Sequence, residues 1–322
     1  MLTCRELNWN DPCLQEILPS PLYSPFTISY QCAYMKDWKF YDISFSIYDT
    51  NQLIAALLLT HGTNICGEQA LNFYGLPAIC IQNLSLPKEA QTRLINIFRN
   101  ILNNYSQYKI TFKEYLVGHK KISTIGEYLL EQGANCNLQF FANIDLQLEK
   151  EMIWQKIRKR YKSLINKSLN TLEHVVVNRD NLTDEHFISF RRLHYIASGR
   201  ITRNNESWLC QMNMVKQGKA FLIMTYYANK LVGASFYIIY NKRCYYGVGA
   251  YNRDLFHEIP ITHGAIWKAI LYAKTCRCKE FNMGDIYFPF QKDLVSAKEF
   301  SIGNFKKGFC DCVSQALILK NF

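Results

Sequence analysis

Two stretches in the second half of the chain concentrate groups able to hold and polarise an anionic substrate. In the first, a helix predicted from Asp184 to about Ala197 runs into Ser198-Gly199-Arg200-Ile201-Thr202-Arg203, and a second helix opens near Trp208 and ends at Gly218. Two guanidinium groups just before a helix N-terminus converge with its free backbone N–H groups, a combination that suits phosphate or carboxylate. His194, in the last turn of the first helix, is a candidate base beside them. Arg200, Thr202, Arg203, Trp208 and Gln211 are the expected substrate contacts. The competing expectation is a basic loop whose Arg200, Thr202 and Arg203 tie the two helices together by hydrogen bonds.

The second stretch lies at the C-terminal end. Gly284-Asp285 is expected to follow a strand and open a long polar loop, and Lys298 to Phe309 sets aromatics beside glycines and lysines. Glycine lets a ligand approach the backbone, and a neighbouring lysine neutralises phosphate or developing oxyanion charge. Phe305 and Phe309 are expected to anchor this segment while Lys306 or Lys307 points into a cleft. His194, Asp285 and Glu299 are the candidate bases and Lys306 the candidate oxyanion contact. Tyr246, His263 and Lys307 complete the expected substrate contacts. Cys276-x-Cys278 and Cys310-x-Cys312 have one-residue spacing, which puts both thiols on one face of a strand but forms no zinc knuckle, so no metal site is expected. No Gly-x-Ser-x-Gly, Walker A, Gly-x-Gly-x-x-Gly or His-Glu-x-x-His motif occurs, which disfavours serine hydrolases, P-loop NTPases, Rossmann dehydrogenases and zincins.

These segments need a scaffold. The chain has 322 residues, enough for two domains of roughly 150 residues each. With 49% hydrophobic and 20% charged residues it reads as globular. Lys and Arg outnumber Asp and Glu 37 to 26, a net +11 that favours an anionic partner such as nucleotide, tRNA or phosphorylated substrate. Met1 to Glu6 lacks a basic-then-apolar leader, and the aliphatic run Leu53 to Leu59 falls far short of the ~20 residues of a membrane span. A cytoplasmic protein without an integral membrane segment is expected. Its 12 cysteines are expected to be reduced and mostly buried.

Alternation and turn residues predict a three-strand meander over Ala220 to Tyr251, with turns at Ala228-Asn229-Lys230 and Asn241-Lys242-Arg243. A helix follows from Thr262, as N-cap, to Thr275, and then a short strand, Glu280 to Met283. The first half repeats that order. Strands are predicted at Ile43 to Tyr48, Leu53 to Thr60 and Ala70 to Tyr74, with His61-Gly62-Thr63-Asn64 as a turn. A helix opens at Pro87 and a strand runs from Lys109 to Phe112. The expectation is an α/β (α+β) chain of two similar domains, 1–148 and 149–322. A single amphipathic helix, Glu149 to Leu169, opens the second, with Trp154, Ile157, Tyr161, Leu164, Ile165 and Ser168 on one face and a run of Lys and Arg on the other.

Four segments of the second half resemble the FemAB-type members of the GNAT-like acyltransferase superfamily. They are the basic run Arg158 to Asn170, the stretch Leu193 to Gln211, the strand Tyr245 to Ala250, and Asn304 to Phe309, which is similar to the family's terminal Phe-Lys-x-Gly-Phe motif. The resemblance covers about residues 150 to 312. It implies two tandem GNAT-like domains, each a mixed, mostly antiparallel sheet flanked by helices, with a cleft between them. It also implies transfer of an aminoacyl group from aminoacyl-tRNA to an amine, on a small molecule, a cell-wall precursor or a surface-glycan sugar. No bound cofactor is implied; the donor, aminoacyl-tRNA or acyl-CoA, is a co-substrate. The chain departs from the family in showing no helical-hairpin arm, and it lacks the Gln/Arg-x-x-Gly-x-Gly/Ala loop that holds coenzyme A in ordinary GNAT enzymes. An acyl-CoA-dependent transferase acting on an amino sugar, and a non-catalytic binder of RNA or nucleotide sugar through the basic face, are the alternatives.

Overall fold

The computed structural model describes residues 2–83, 85–105, 108–116, 122–310 and 312–321. The chain divides into two compact units. The first comprises Met1–Pro19, Gln31–Gln139 and Ser314–Phe322, the second Ser20–Tyr30 and Phe140–Val313. No helix among the described residues is long and apolar enough to cross a membrane.

In the first unit, strands Leu2–Glu6, Phe45–Asp49, Gln52–Leu58 and Ile79–Gln82 make an antiparallel sheet in that order. Lys109–Leu116 pairs antiparallel with Cys312–Lys320 and parallel with Gln69–Asn72, which continues to Thr60–Asn64 and Trp38–Asp42. The helix Lys88–Asn103 buries Ala90, Leu94, Phe98 and Leu102, at the i, i+4 spacing of one face. The turn expected at His61 to Asn64 is a strand instead. The apolar run breaks earlier, at Leu59, whose backbone N–H donates to the Ser44 hydroxyl while its carbonyl accepts from the same group. The Leu59 carbonyl also accepts from the Ile43 N–H at 3.1 Å, and the chain continues into the next strand. Gly62 fits there because the Phe40 and Trp38 rings lie against it, 2.9 and 3.1 Å from where a Cβ would stand.

After Ser20–Tyr30, the second unit resumes with the end of β1 (Asn135–Asp145). The single helix expected from Glu149 to Leu169 is two, α1 (Lys150–Lys156) and α2 (Lys159–Thr171). The break is tertiary: Ile157 is extended, with ψ 136°, and the Arg158 N–H donates to the Gly308 carbonyl at 3.0 Å. Of the predicted apolar stripe, Ile157, Tyr161, Ile165 and Ser168 are buried and Trp154 and Leu164 half-buried, with Ile153 buried in addition. Next come β2 (Glu173–Val177), α3 (Asp184–Ser198), α4 (Asn205–Lys216), β3 (Ala220–Tyr227), β4 (Lys230–Tyr240) and β5 (Arg243–Tyr251). Then follow α5 (Ile261–Thr275), β6 (Glu280–Ile286) and α6 (Ala297–Lys306). The sheet order is β2-β3-β4-β5-β6-β1, antiparallel except for β5 with β6.

Two helix ends near the Arg200–Arg203 bend have a local cause. Gly199, at φ 68°, closes α3 in the left-handed region, and the Asn204 side chain caps α4 by accepting from the Ser207 N–H. Thr262 is not a cap: α5 begins at Ile261 after Pro260, with no side-chain cap. The polar loop expected after Gly284 is also corrected. Gly284 and Asp285 lie within β6, and Lys298 to Lys306 is helical, opened by a capping box of Ser296 and Glu299. All 12 cysteines are free, but only Cys244 and Cys278 are buried and five are exposed, so the expectation of mostly buried thiols fails.

The Gly308 turn welds α6 to α2. A Cβ there would collide with the Tyr161 ring, which is boxed in by His263, Phe305 and Phe309 at centroid distances of 4.7, 5.7 and 5.1 Å. Gly308→Ala is therefore expected to cost about 1–3 kcal/mol of stability, as overpacked cores do, read as a lower urea midpoint with an unchanged m-value.

Candidate active site

β5 and β6 pair in parallel only from Arg243↔Glu280 to Tyr245↔Asn282 and then part. Both strands are bent where they separate. Gly247 is the extra residue of a bulge against Phe236 and Tyr237 of β4, and β6 shifts register against β1 between Asn282 and Asp285, with Gly284 at φ 80°. Bulges bend a strand and end its pairing. α6 packs on β6 beside the opening, so closely that a Cβ at Gly303 would stand 3.2 and 3.1 Å from the backbone of Ile286 and Tyr287.

A cavity of about 460 Å³ occupies this region. Its wall takes Tyr246, Gly249 and Tyr251 from β5, Lys298, Ser301, Ile302, Phe305 and Lys306 from α6, Thr262 from α5, Arg253 and Phe256 from the intervening loop, and Ala197 from α3. Half-buried Lys306 donates from Nζ to the Asp285 carbonyl at 3.3 Å and lies over Gly284, 3.1 Å from where a Cβ would stand. Burial lowers the Lys306 pKa and the Asp285 carboxylate opposes the shift. The Tyr245 hydroxyl lies 3.4 Å from that same Cβ position, and burial, with the Asp285 charge, raises its pKa. Tyr246 stacks on Tyr237 at 5.2 Å and is likewise held protonated by burial.

The Arg200–Arg203 bend does something else. Arg203 donates from Nη1 to His194 Nε2 at 2.8 Å and from Nε to the Tyr30 hydroxyl at 3.1 Å, and its guanidinium stands 5.7 Å from the Trp208 ring. This is the hydrogen-bonded tie between helices, with Tyr30 added from the N-terminal segment. His194, 7% exposed, has its pKa lowered to about 4 by burial and then by the Arg203 charge. It is neutral and already accepts a hydrogen bond, so it does not serve as the base. Trp208 and Gln211 are each 4% exposed, Trp208 within the core between α3, α4 and the sheet, and neither lines this cavity. Thr202 accepts weakly from Arg203 at 3.5 Å, and Arg200 is exposed.

The remaining residues divide the same way. Glu299 is exposed and accepts from the Ser296 hydroxyl and N–H at 2.6 and 2.9 Å, which lowers its pKa; it caps α6 and is no base. Lys307 donates to the Tyr287 carbonyl at 2.7 Å and lies over the Phe288 ring, outside the cavity wall. His263 stands behind Phe305, its ring 5.2 Å from it, with its pKa lowered to about 4 by burial and then by Arg160. Of the expected site residues, Lys306 and Tyr246 line the cavity, with Asp285 beside Lys306. Sequence reading missed Tyr251, Arg253, Phe256, Ile302 and Ala197 as wall residues. Only the glycines 247 and 249 beside Tyr246 signalled an open strand.

No family model matches the chain, and no curated protein sequence matches it. Solved structures do. The crystal structure of FemX superposes with a TM-score of 0.70 at 12% identity, covering 98% of this chain and 96% of that one. L-PGS from Bacillus licheniformis gives 0.54 at 11%, covering 94% and 92%. A tandem GNAT protein from the clavulanic acid biosynthesis pathway gives 0.51 at 12%, covering 99% and 98%. The chain has the FemAB-like, GNAT-like acyltransferase fold.

Three buried or half-buried histidines make stability depend on pH. His174, bonded to Ser168 and Thr225, joins His194 and His263 at a pKa of about 4. Such a group is neutral when folded and takes up a proton near pH 6.5 when unfolded, so its contribution is complete above about 6.5 and is lost as pH falls toward 4. Each adds up to about 1.4 kcal/mol per pH unit to the slope. Glu114, raised to about 7 by burial, acts in the opposite sense. The His194 contribution is therefore read as a difference: His194→Gln should give a shallower fall in unfolding free energy from pH 6.5 to 4.5 than wild type.

Proposed function

We propose that this chain is an acyltransferase, aminoacyl transfer included, that moves an activated acyl group to an amine in the cavity beside β5. The observation that carries the reading is the position of Lys306, half-buried in the wall where β5 and β6 part. The likeness to FemX, L-PGS and a tandem GNAT protein supports it at the level of fold. The donor is an ester or thioester on a phosphate-bearing carrier, aminoacyl-tRNA or acyl-CoA, and the acceptor is an amine on a small molecule, a cell-wall precursor or a surface-glycan sugar.

Such a donor is already reactive, so positioning and charge stabilisation carry the catalysis. Holding carbonyl and amine together contributes about 7–11 kcal/mol in favourable cases. The amine attacks the carbonyl carbon, and the Lys306 ammonium neutralises the oxyanion that forms. Collapse breaks the bond to the leaving oxygen or sulfur, which departs with the carrier. Among the described residues, no carboxylate or imidazole lines the cavity. The amine proton therefore passes to the leaving group or to solvent, and protonated Tyr246 is available as a donor on the wall. The alternative of a non-catalytic binder of RNA or nucleotide sugar rests on the basic face from Lys156 to Lys167, most of which α2 carries, and it predicts salt-dependent binding without a product.

The test is incubation with charged tRNA, and separately with acyl-CoA, against a panel of amines, with the acceptor mass read by mass spectrometry. Lys306→Ala should lower kcat/KM about 10²–10³-fold while the fold is kept. Arg203→Ala should instead cost about 1–3 kcal/mol of stability, because it removes the hydrogen bonds to His194 and Tyr30. Unchanged turnover in Lys306→Ala would remove the cavity from the mechanism.

A further inference from the structure

The hairpin of α3 and α4 carries a second hollow, separate from the cavity beside β5. A short turn joins the helices, and the Asp184 carboxylate at the start of α3 lies 3.5 Å from Lys216 Nζ at the end of α4, so the two run antiparallel. The groove between them has a volume of about 330 Å³. α3 lines it with Asp184, Phe187, Ile188 and Arg191. α4 lines it with Asn205, Trp208, Leu209 and Met212. Both sets fall at i, i+3, i+4 and i+7, the spacing by which one face of a helix meets another helix.

The middle of the groove is apolar. Phe187 and Trp208 are buried and continue into the core through Phe190, whose ring lies 6.3 and 5.2 Å from theirs. Ile188 and Leu209 are 59% and 53% exposed. Single exposed aliphatic residues are ordinary. These two flank buried aromatics and extend an apolar core to the surface, which marks a contact face.

Charge selects the occupant. Asp184 stands at one end of the α3 stripe and Arg191 at the other, about 10 Å along the helix. The Asp184 side chain is 77% exposed even with Lys216 beside it. Arg191 has the Tyr195 ring at 5.6 Å and, among the described residues, no ion pair. A face with opposite charges at its two ends matches itself when turned end for end. A two-fold axis crossing the hairpin at the level of Ile188 lays α3 antiparallel on α3 of a second copy and brings each Arg191 to the other's Asp184. The apolar side chains then meet between the charges, and the two hairpins form a four-helix bundle. A uniformly acidic or basic partner would pair one of these charges and oppose the other.

We propose that α3 and α4 form the contact face of a homodimer, in which Ile188 and Leu209 of each copy cover the groove of the other and Arg191 pairs with Asp184 across a two-fold axis. The helices have 15 and 12 residues, about 22 and 18 Å in length. A face of that size is at the small end of specific interfaces, so a dissociation constant of about 10 µM is expected.

Sedimentation equilibrium of the full chain from about 1 to 200 µM, bracketing that constant, tests the proposal. A monomer–dimer equilibrium is expected. Ile188→Asp puts two carboxylates into the apolar centre and should weaken association about 100-fold. Arg191→Glu sets like charges against each other at both ends and should weaken it about tenfold. Asp184→Lys combined with Arg191→Glu reverses both pairs and should restore affinity to within about threefold of wild type. None of the three positions is buried, so far-ultraviolet circular dichroism should be unchanged in every variant. A monomer throughout the range overturns the proposal and leaves the groove to a helix of another protein. A dimer that either single variant leaves intact, or a double variant no tighter than Arg191→Glu, overturns it as well.

Discussion

The separation of two parallel strands is the constraint on which the second unit is organised. β5 and β6 share three paired positions, and neither then has the other as a partner. Backbone groups left without a ladder must find other partners or face solvent, so an opening persists where the pair diverges. Two bulges impose the divergence, and Gly247 and Gly284 sit at them. α6 then fixes the width of the opening through the contact of Gly303 with β6, and it delivers Lys306 to one end. Lys306 thus gains a carbonyl partner and a nearby carboxylate, which keep a half-buried ammonium tolerable.

A second constraint acts through Arg203. One guanidinium joins α3, the start of α4 and the N-terminal segment, using His194, Trp208 and Tyr30 as partners. Its charge and the burial of the imidazole both favour neutral His194. The arrangement gives the Arg203 guanidinium partners inside the unit, while His194 Nδ1, Trp208 Nε1 and Gln211 Oε1 are buried without a hydrogen-bond partner among the described residues.

The legible parts of the sequence were those governed by local periodicity. The meander from Ala220 to Tyr251, with left-handed residues at its Ala228-Asn229 and Asn241-Lys242 turns, follows alternation and turn chemistry. The α3 end at Gly199 follows the same logic. What failed was set by tertiary partners. The break at Ile157 depends on the Gly308 carbonyl, the break at Leu59 is bridged by the Ser44 hydroxyl, and neither partner has a periodic signature. Within the site, Lys306 was legible because a cation beside aromatics and glycine is chemically distinctive. Tyr251, Phe256 and Ile302 were not, because apolar residues lining a cavity are indistinguishable by type from apolar residues filling a core. Glu299 misled because the Ser-x-x-Glu spacing of a capping box lay inside a stretch read as loop.

Tyr30 holds Arg203 across 173 positions of chain. During synthesis, the short piece Ser20–Tyr30 leaves the ribosome long before the helices it joins exist. The second unit therefore closes only after its far end has been made, with an early segment kept waiting for a late one. A fragment cut near the middle of the chain would lack that phenol, and Arg203 would be left with one fewer anchor. The boundary along the sequence and the boundary in space are different lines.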